Sequence, residues 1–171
     1  MAGPSPAKGF CVQEESPSQS LGTQVSFRAK VMKEVEMPKI TGGCRCGQLR
    51  YSADAEPAFV GVCHCKNCQK ASGTAFRVVL AVPKPALSVQ GTLKTFNDRG
   101  DTGKTLYRRF CPECGSAIIT EAEVMPDLTI IMAGTLDDAS WVKPGMEIYC
   151  DSAQPWVSLE GERQRFPKMP G

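Results

Sequence analysis

Seven of the nine cysteines in this chain fall into three short groups whose spacing is typical of metal ligands. The groups are Cys44-Arg45-Cys46, Cys63-His64-Cys65-Lys66-Asn67-Cys68 and Cys111-Pro112-Glu113-Cys114. Zinc prefers four thiolate or imidazole ligands in a tetrahedron, and short cysteine-rich turns supply such ligands in pairs. The sequence therefore predicts zinc binding, with two ions per chain.

Two of the groups are pairs and the third is a triplet. The two residues between Cys111 and Cys114 let the chain curl around an ion, while the sulfurs of Cys44 and Cys46 point the same way in extended chain. Four thiolates saturate zinc and describe a structural site, whereas three leave a position open and describe a catalytic one. Spacing alone leaves the pairing undecided, because Cys44 and Cys46 could also join the middle group.

The gross composition limits the possible partners. The 171 residues carry a net charge of only +2, and no run of lysine and arginine indicates a nucleic-acid surface. The longest apolar run, Val78 to Val82, is too short to cross a bilayer, and the amino terminus has no apolar signal segment. We therefore expect a cytoplasmic protein without a membrane or nucleic-acid partner. In a reducing compartment, clustered cysteines are more often metal ligands than disulfides.

The chain divides into a tail and a strand-rich domain. Residues 1–38 are rich in Pro, Ser, Gly, Gln and Glu, which predicts a flexible tail with a short helix around Phe27 to Glu36. Residues 39–171 form the predicted zinc-binding domain. It contains short strand-like runs separated by Gly, Pro and Asp, namely Gln48–Ser52, Phe59–Val62, Phe76–Val82, Leu87–Val89, Leu93–Phe96, Thr105–Phe110, Ala117–Thr120, Leu128–Ala133 and Glu147–Tyr149.

Helical periodicity is nearly absent from this domain. One helical turn is predicted after Cys65, ending at Gly73, and another after Leu136, before Pro144. The predicted class is mainly β, with antiparallel sheets and short helical turns.

Four elements in fixed order, and three residues after them, resemble a known family. The elements are Gly43-Cys44-Arg45-Cys46-Gly47 with Tyr51, Cys63-His64-Cys65-Lys66-Asn67-Cys68 with Ser72-Gly73 and Phe76, Arg109-Phe110-Cys111-Pro112-Glu113-Cys114-Gly115-Ser116, and Ala133-Gly134-Thr135-Leu136-Asp137-Asp138, followed by Pro144, Ile148 and Trp156. Together they resemble the glutathione-dependent formaldehyde-activating enzyme family, which includes centromere protein V. The resemblance runs from about Thr41 to Leu159.

The resemblance implies a β-tent fold, in which antiparallel sheets converge on a zinc-binding turn. It assigns a structural zinc to Cys44, Cys46, Cys111 and Cys114, and a catalytic zinc to Cys63, Cys65 and Cys68. The implied activity condenses glutathione with formaldehyde to S-(hydroxymethyl)glutathione, which is a carbon–sulfur lyase reaction in reverse. A related electrophile in a specialised pathway would use the same site. The implied partners are therefore glutathione and a small electrophile.

Cations near the ligand cysteines are candidates for binding the two carboxylates of glutathione. They are Lys66, Lys70, Arg77 and Arg109. His64, the only histidine, lies between two predicted ligands and should point away from their sulfurs in extended chain. We therefore expect it to support the site rather than bind the metal. Cys150 is predicted to lie on a strand as a small buried apolar residue.

Two other functions are compatible with parts of the sequence. A zinc scaffold without catalysis, as in the centromere protein V branch, would use an appended basic region, but the few cations of the tail are mixed with acidic residues such as Glu14 and Glu15. A methionine sulfoxide reductase of the B type would use a cysteine late in the chain, for which Cys150 is the candidate. That enzyme needs several histidines near its substrate, and the chain has one.

Overall fold

The structure, a computed structural model, describes residues 39–170. The predicted tail, with its helix around Phe27 to Glu36 and with Cys11, lies outside the described residues. No helix in the described part is both long and apolar enough to span a lipid bilayer.

Strands dominate the described range, which confirms the mainly β class. They are β1 (Ile40–Gly43), β2 (Arg50–Ala53), β3 (Phe59–Cys63), β4 (Arg77–Pro83), β5 (Leu87–Gln90), β6 (Lys94–Arg99), β7 (Thr105–Phe110), β8 (Ala117–Ala122), β9 (Met125–Met132), β10 (Met146–Ile148) and β11 (Gln164–Arg165). The helix α1 spans Lys66–Ser72, and 3-10 turns span Lys84–Ala86, Ala133–Thr135 and Cys150–Ser152. Each strand-like run of the sequence corresponds to one of these strands.

The strands form a small sheet and a large sheet. The small sheet has the order β1-β2-β5, and the large sheet has the order β11-β10-β3-β4-β9-β8-β7-β6. All pairs are antiparallel except those of β10, which runs parallel to both β3 and β11. Parallel pairing requires a long connection between strands. Residues 149–163 provide that connection between β10 and β11.

The core lies between one face of the large sheet and the small sheet. Leu80, Ile119 and Ile131 of the large sheet pack with Ile40 and Tyr51 of the small one. Because side chains alternate along a strand, the neighbours of these core residues point to the opposite face of the large sheet. That second face carries the site described below.

The helix predicted after Cys65 is confirmed, since α1 begins with Cys65 as its N-cap and ends at Gly73. The helix predicted after Leu136 is wrong. Leu136 forms an isolated bridge with Gly42, and the Asp138 carboxylate accepts a hydrogen bond from the Ser140 N–H. A short polar side chain that bonds its own backbone in this way competes with helix formation.

Cys150 lies outside any strand, contrary to prediction. Strand β10 ends at Ile148 because Tyr149 has a left-handed backbone, with φ of 59°. Cys150 then begins a 3-10 turn, is half-buried, and directs its sulfur toward the Glu147 carbonyl at 3.6 Å.

Candidate metal centres

Four cysteines from two distant turns meet at one point. Cys44 and Cys46 follow β1, whereas Cys111 and Cys114 follow β7, and their sulfurs all lie within 4.8 Å of one another. The Cys44 and Cys46 sulfurs are 3.3 Å apart, and those of Cys46 and Cys111 are 3.7 Å apart. A zinc–sulfur bond of about 2.3 Å in a tetrahedron places sulfurs about 3.8 Å apart. The cluster therefore has the donor set and size for one zinc ion.

Both turns are shaped by backbone hydrogen bonds. The Cys44 N–H donates to the Leu49 carbonyl at 3.0 Å, and the Gly115 N–H donates to the Cys111 carbonyl at 2.9 Å. Gly115 has φ of 72°, a left-handed conformation that favours glycine. The turn therefore favours glycine directly after Cys114.

The sulfurs of this cluster receive hydrogen bonds. The Leu49 N–H donates to Cys44 Sγ at 3.2 Å. The Arg45 N–H donates to the Ser116 hydroxyl oxygen at 3.1 Å, which leaves the Ser116 O–H free to donate to Cys114 Sγ at 3.2 Å. The Ser116 hydroxyl is the main cause that lowers the pKa of Cys114 to about 5. N–H and O–H groups that donate hydrogen bonds to metal-binding thiolates orient them and favour their charged form.

Three further cysteines form a second cluster where β3 passes into α1. Cys63 ends β3, Cys65 is the N-cap of α1, and Cys68 lies in the first turn of α1. Their sulfurs lie within 4.8 Å of one another, and the Cys68 N–H donates to Cys65 Sγ at 3.3 Å. The helix start therefore folds the third sulfur back toward the two that precede it.

The three close sulfurs of this second cluster favour a bound cation. Hydrogen bonds from Cys63 and Cys65 lower the pKa of Cys68 to about 2, with help from the guanidinium groups of Arg108 and Arg77. A hydrogen bond between Cys63 and Cys65 is the largest cause that raises the pKa of Cys63 far above its usual value. Three sulfurs this close cannot all ionise unless a positive charge compensates them. A divalent metal ion supplies that charge, so the residues fit zinc.

A cleft of about 480 Å³ opens onto the three-cysteine cluster. All three cysteines line it, together with Arg77 from β4 and Arg108 from β7. The four cysteines of the other cluster are not among its lining residues. The three sulfurs thus face a space that can hold a small molecule.

The predicted cations separate into two groups. Lys66 and Arg77 line the cleft, whereas Lys70 and Arg109 do not. Arg109 forms an ion pair with Glu121 and borders a smaller cavity of about 190 Å³. Lys70 is exposed near the end of α1.

Sequence reasoning missed three further cations of the cleft, which are Arg108, Lys104 and Lys168. Arg108 is largely buried and its Nε donates to the Asp98 carboxylate at 2.6 Å. Arg108 and Arg109 are neighbours on one strand, so they point to opposite faces of the sheet. The alternation was readable from the sequence, but the face that carries the cysteines was not.

His64 is directed away from both cysteine clusters, as expected from its position between Cys63 and Cys65. Its Nε2 contacts the Glu147 carboxylate at 3.0 Å, and both side chains are almost fully buried. The other Glu147 oxygen accepts a hydrogen bond from Arg163 Nε at 2.7 Å. The Gln69 amide donates both to the His64 carbonyl and to the Ser152 carbonyl. The loop that carries Cys63 and Cys65 is therefore attached to the C-terminal segment.

Comparison with known protein families assigns the chain to one family. Residues 39–152 match the sequence family described as glutathione-dependent formaldehyde-activating enzyme. No curated protein is significantly similar to the chain. A crystal structure of a Rhodobacter sphaeroides protein from structural genomics aligns with a TM-score of 0.47 and 20% identity, covering 57% of this chain and 87% of that one. On the extent of the family match, the chain belongs to the glutathione-dependent formaldehyde-activating enzyme family.

Proposed function

We propose that the protein is a zinc-dependent enzyme that condenses the thiol of glutathione with formaldehyde or a related electrophile. The observation that carries this proposal is the difference between the two cysteine clusters. One offers four sulfurs, which saturate zinc, and the other offers three sulfurs that line a cleft beside two arginines. If the second cluster holds zinc, its three cysteines would leave the ion able to accept a visiting thiol.

The metal assignment follows from the donor sets. Cys44, Cys46, Cys111 and Cys114 would hold a structural zinc, and the second cluster would hold a catalytic zinc. When bound to three thiolates, zinc supplies a positive centre that favours the thiolate form of an incoming thiol. The protein therefore needs to bind and orient the two reactants around that centre and to offset the charges of glutathione.

The mouth of the cleft is suited to the charges of glutathione. It is lined by the lysines Lys66, Lys104 and Lys168 and by the aspartates Asp101 and Asp151. Glutathione carries two carboxylates and one ammonium at neutral pH, so lysines and aspartates together complement it. Asp101 also accepts a hydrogen bond from the Tyr149 hydroxyl at 2.9 Å, which orients its carboxylate.

The arginines are placed to stabilise negative charge as the reaction proceeds. Arg77 is buried, and the cysteine sulfurs are its neighbouring anions, whereas the charge of Arg108 is shared with Asp98. The glutathione sulfur attacks the carbonyl carbon, a carbon–sulfur bond forms, and the carbonyl π electrons move to oxygen. That oxygen takes up one proton, and the thiol releases one. Arg77 would donate a hydrogen bond to the developing oxyanion.

The test compares zinc content and reaction rate in two matched variants of the full-length protein. Cys68→Ser removes a ligand of the three-cysteine cluster, and Cys150→Ser removes a half-buried thiol that lies in neither cluster. Wild type and Cys150→Ser should each bind two zinc ions and accelerate the loss of free thiol from glutathione and formaldehyde above the spontaneous rate. Cys68→Ser should remain folded, bind one zinc ion and show only the spontaneous rate.

Two results would overturn the proposal. One is a wild-type protein that binds a single metal ion. The other is a wild-type protein that binds two zinc ions and still leaves the spontaneous rate unchanged, which would leave a zinc scaffold without catalysis. A thiol-dependent reduction of methionine sulfoxide lost in Cys150→Ser would favour the reductase instead, although Cys150 does not line the cleft.

A further inference from the structure

The floor of the cleft beyond the cysteines is formed by apolar side chains from one face of the large sheet. These side chains are Phe59, Val79, Leu106, Ala122, Ile130, Met132 and Ile148. Val79 lies opposite Met132 and Leu106 lies opposite Ala122 in the strand register, so each pair shares the same face. The apolar floor therefore crosses several neighbouring strands, and Thr120, which lies opposite Ile130, is the polar residue within it.

This apolar surface continues to the mouth of the cleft. Val124 is 49% exposed and Met169 is 40% exposed, and both line the cleft. They are two of the four large apolar side chains that are strongly exposed within residues 39–170. A largely apolar surface that is open to solvent, and that lies beside reactive groups, is typical of a ligand site.

The size of the floor exceeds what formaldehyde can use. Cys63 and Phe59 lie at the two ends of β3, and the rise per strand residue places them roughly 13 Å apart. Formaldehyde has one carbon atom, which would remain beside the sulfurs. The rest of the floor would then stay uncovered.

Glutathione is poorly suited to cover the floor. Its peptide groups and carboxylates would lose their hydration against Val79, Ile130 and Met132 without gaining a hydrogen bond, which costs free energy. The lysines and aspartates that can bind those groups lie at the mouth, and the two arginines of the cleft, Arg77 and Arg108, lie beside the cysteine sulfurs. The cleft thus has a polar region for the tripeptide and a separate apolar region for another group.

We infer that the electrophile of this enzyme carries an apolar body, aliphatic or aromatic, on its reactive carbonyl carbon. This inference rests on the proposed function and names the class of its second substrate. The sulfur of glutathione bonds to the carbonyl carbon, the π electrons move to oxygen, and the product is a hemithioacetal, with one proton taken up at oxygen and one released from the thiol. The apolar body lies on the floor, and Arg77 faces the oxygen.

The test measures the binding of unreactive product-like ligands by isothermal titration calorimetry. The ligands are S-methyl-, S-butyl- and S-hexylglutathione, and the protein is the full-length, zinc-loaded form. Burial of each methylene against apolar side chains should tighten binding about fourfold. We expect the dissociation constant to fall steadily from the methyl to the hexyl ligand.

Two variants with matched chemistry locate the effect. Ile130→Asn places an amide on the floor, whereas Leu93→Asn makes the same kind of change at a partly buried side chain outside the cleft. In Ile130→Asn, the ratio of the dissociation constants of the methyl and hexyl ligands should be at least tenfold smaller than in wild type. Leu93→Asn should keep the wild-type ratio. If Ile130→Asn fails to fold, Leu106→Asn tests the same surface.

Rate measurements separate failure of this inference from failure of the proposed function. Glutathione is combined with formaldehyde, butanal or heptanal, and each rate is divided by its spontaneous rate. Acceleration of formaldehyde alone, with affinity independent of alkyl length, would overturn the inference and leave the proposed function standing. Affinity that rises with alkyl length while no aldehyde reacts faster would retain the apolar site and refute the lyase activity. Absence of binding by every glutathione derivative would overturn both.

Discussion

Replacement of Glu147 by glutamine tests whether one buried carboxylate attaches the C-terminal segment to the three-cysteine cluster. Glu147 is 2% exposed and accepts hydrogen bonds from Arg163 at 2.7 Å and from His64 at 3.0 Å. Removing one partner of a buried ion pair leaves the other charge uncompensated and costs about 3–5 kcal/mol. Glutamine occupies nearly the same volume, so the loss reports the charge and not a cavity.

The assay is urea unfolding of the zinc-loaded, full-length protein at neutral pH, followed by circular dichroism. With a denaturant slope of about 2 kcal/mol per molar urea, the midpoint should fall by about 2 M. Glu121→Gln is the matched control, because Glu121 also pairs with two cations, of which Lys84 is 53% exposed. That variant should lose much less, since exposed ion pairs contribute little. Equal shifts in the two variants, or a shift below about 0.5 M for Glu147→Gln, would refute the reasoning.

The stability that Glu147 contributes should depend on pH. Burial opposes ionisation of Glu147, but hydrogen bonds from Arg163 and His64 outweigh it and hold the pKa below the usual 4.5. A lowered folded-state pKa stabilises the protein above the unfolded value, and this stabilisation is lost as the pH falls through the folded value. The stability difference between wild type and Glu147→Gln should therefore be full above about pH 5 and shrink below the unfolded pKa. Protonation of the metal thiolates weakens both proteins alike. A difference that stays constant in acid would contradict this prediction.

Three further substitutions test other parts of the structure. Cys114→Ser should prevent folding, because metal binding at the four-cysteine site is coupled to folding, whereas Cys68→Ser should keep the fold. Circular dichroism and zinc content distinguish the two variants. Arg108→Met should lower kcat/KM for glutathione by about tenfold or more through loss of a charged hydrogen-bond donor, and equal loss in its neighbour Arg109→Met would contradict the cleft assignment. Gly42→Ala should destabilise the domain by about 1–3 kcal/mol, because a Cβ there would collide with the Thr135 carbonyl and the Tyr51 ring. Urea unfolding measures this loss, and an unchanged midpoint would exclude the collision.

The local chemistry of this protein was readable from the sequence because it depends on short spacing. The groups of cysteines, the turn with Gly115 and the helix that ends at Gly73 each involve residues a few positions apart. The orientation of His64 followed from the alternation of side chains in extended chain. Strand-like runs were also recognisable, since most of them are apolar and bounded by Gly, Pro or Asp.

Strand β1 was not predicted from the sequence, because it depends on tertiary contacts. Gly42 and Gly43 make up half of this four-residue strand, and glycine is depleted in strands. Glycine is needed at position 42 because Tyr51 and Thr135 approach its backbone closely. The strand exists because it pairs with β2, which no local pattern reports.

The sequence by itself determined which residues could bind metal and that the domain is built from short strands. Tertiary structure decided which turns meet, since β1 and β7 belong to different sheets and their ends converge only when those sheets pack. It also decided that Arg108 faces the cleft while Arg109 faces away from it, and that Glu147 joins His64 to Arg163. These outcomes depend on strand order and register, which arise from contacts between residues far apart in the chain.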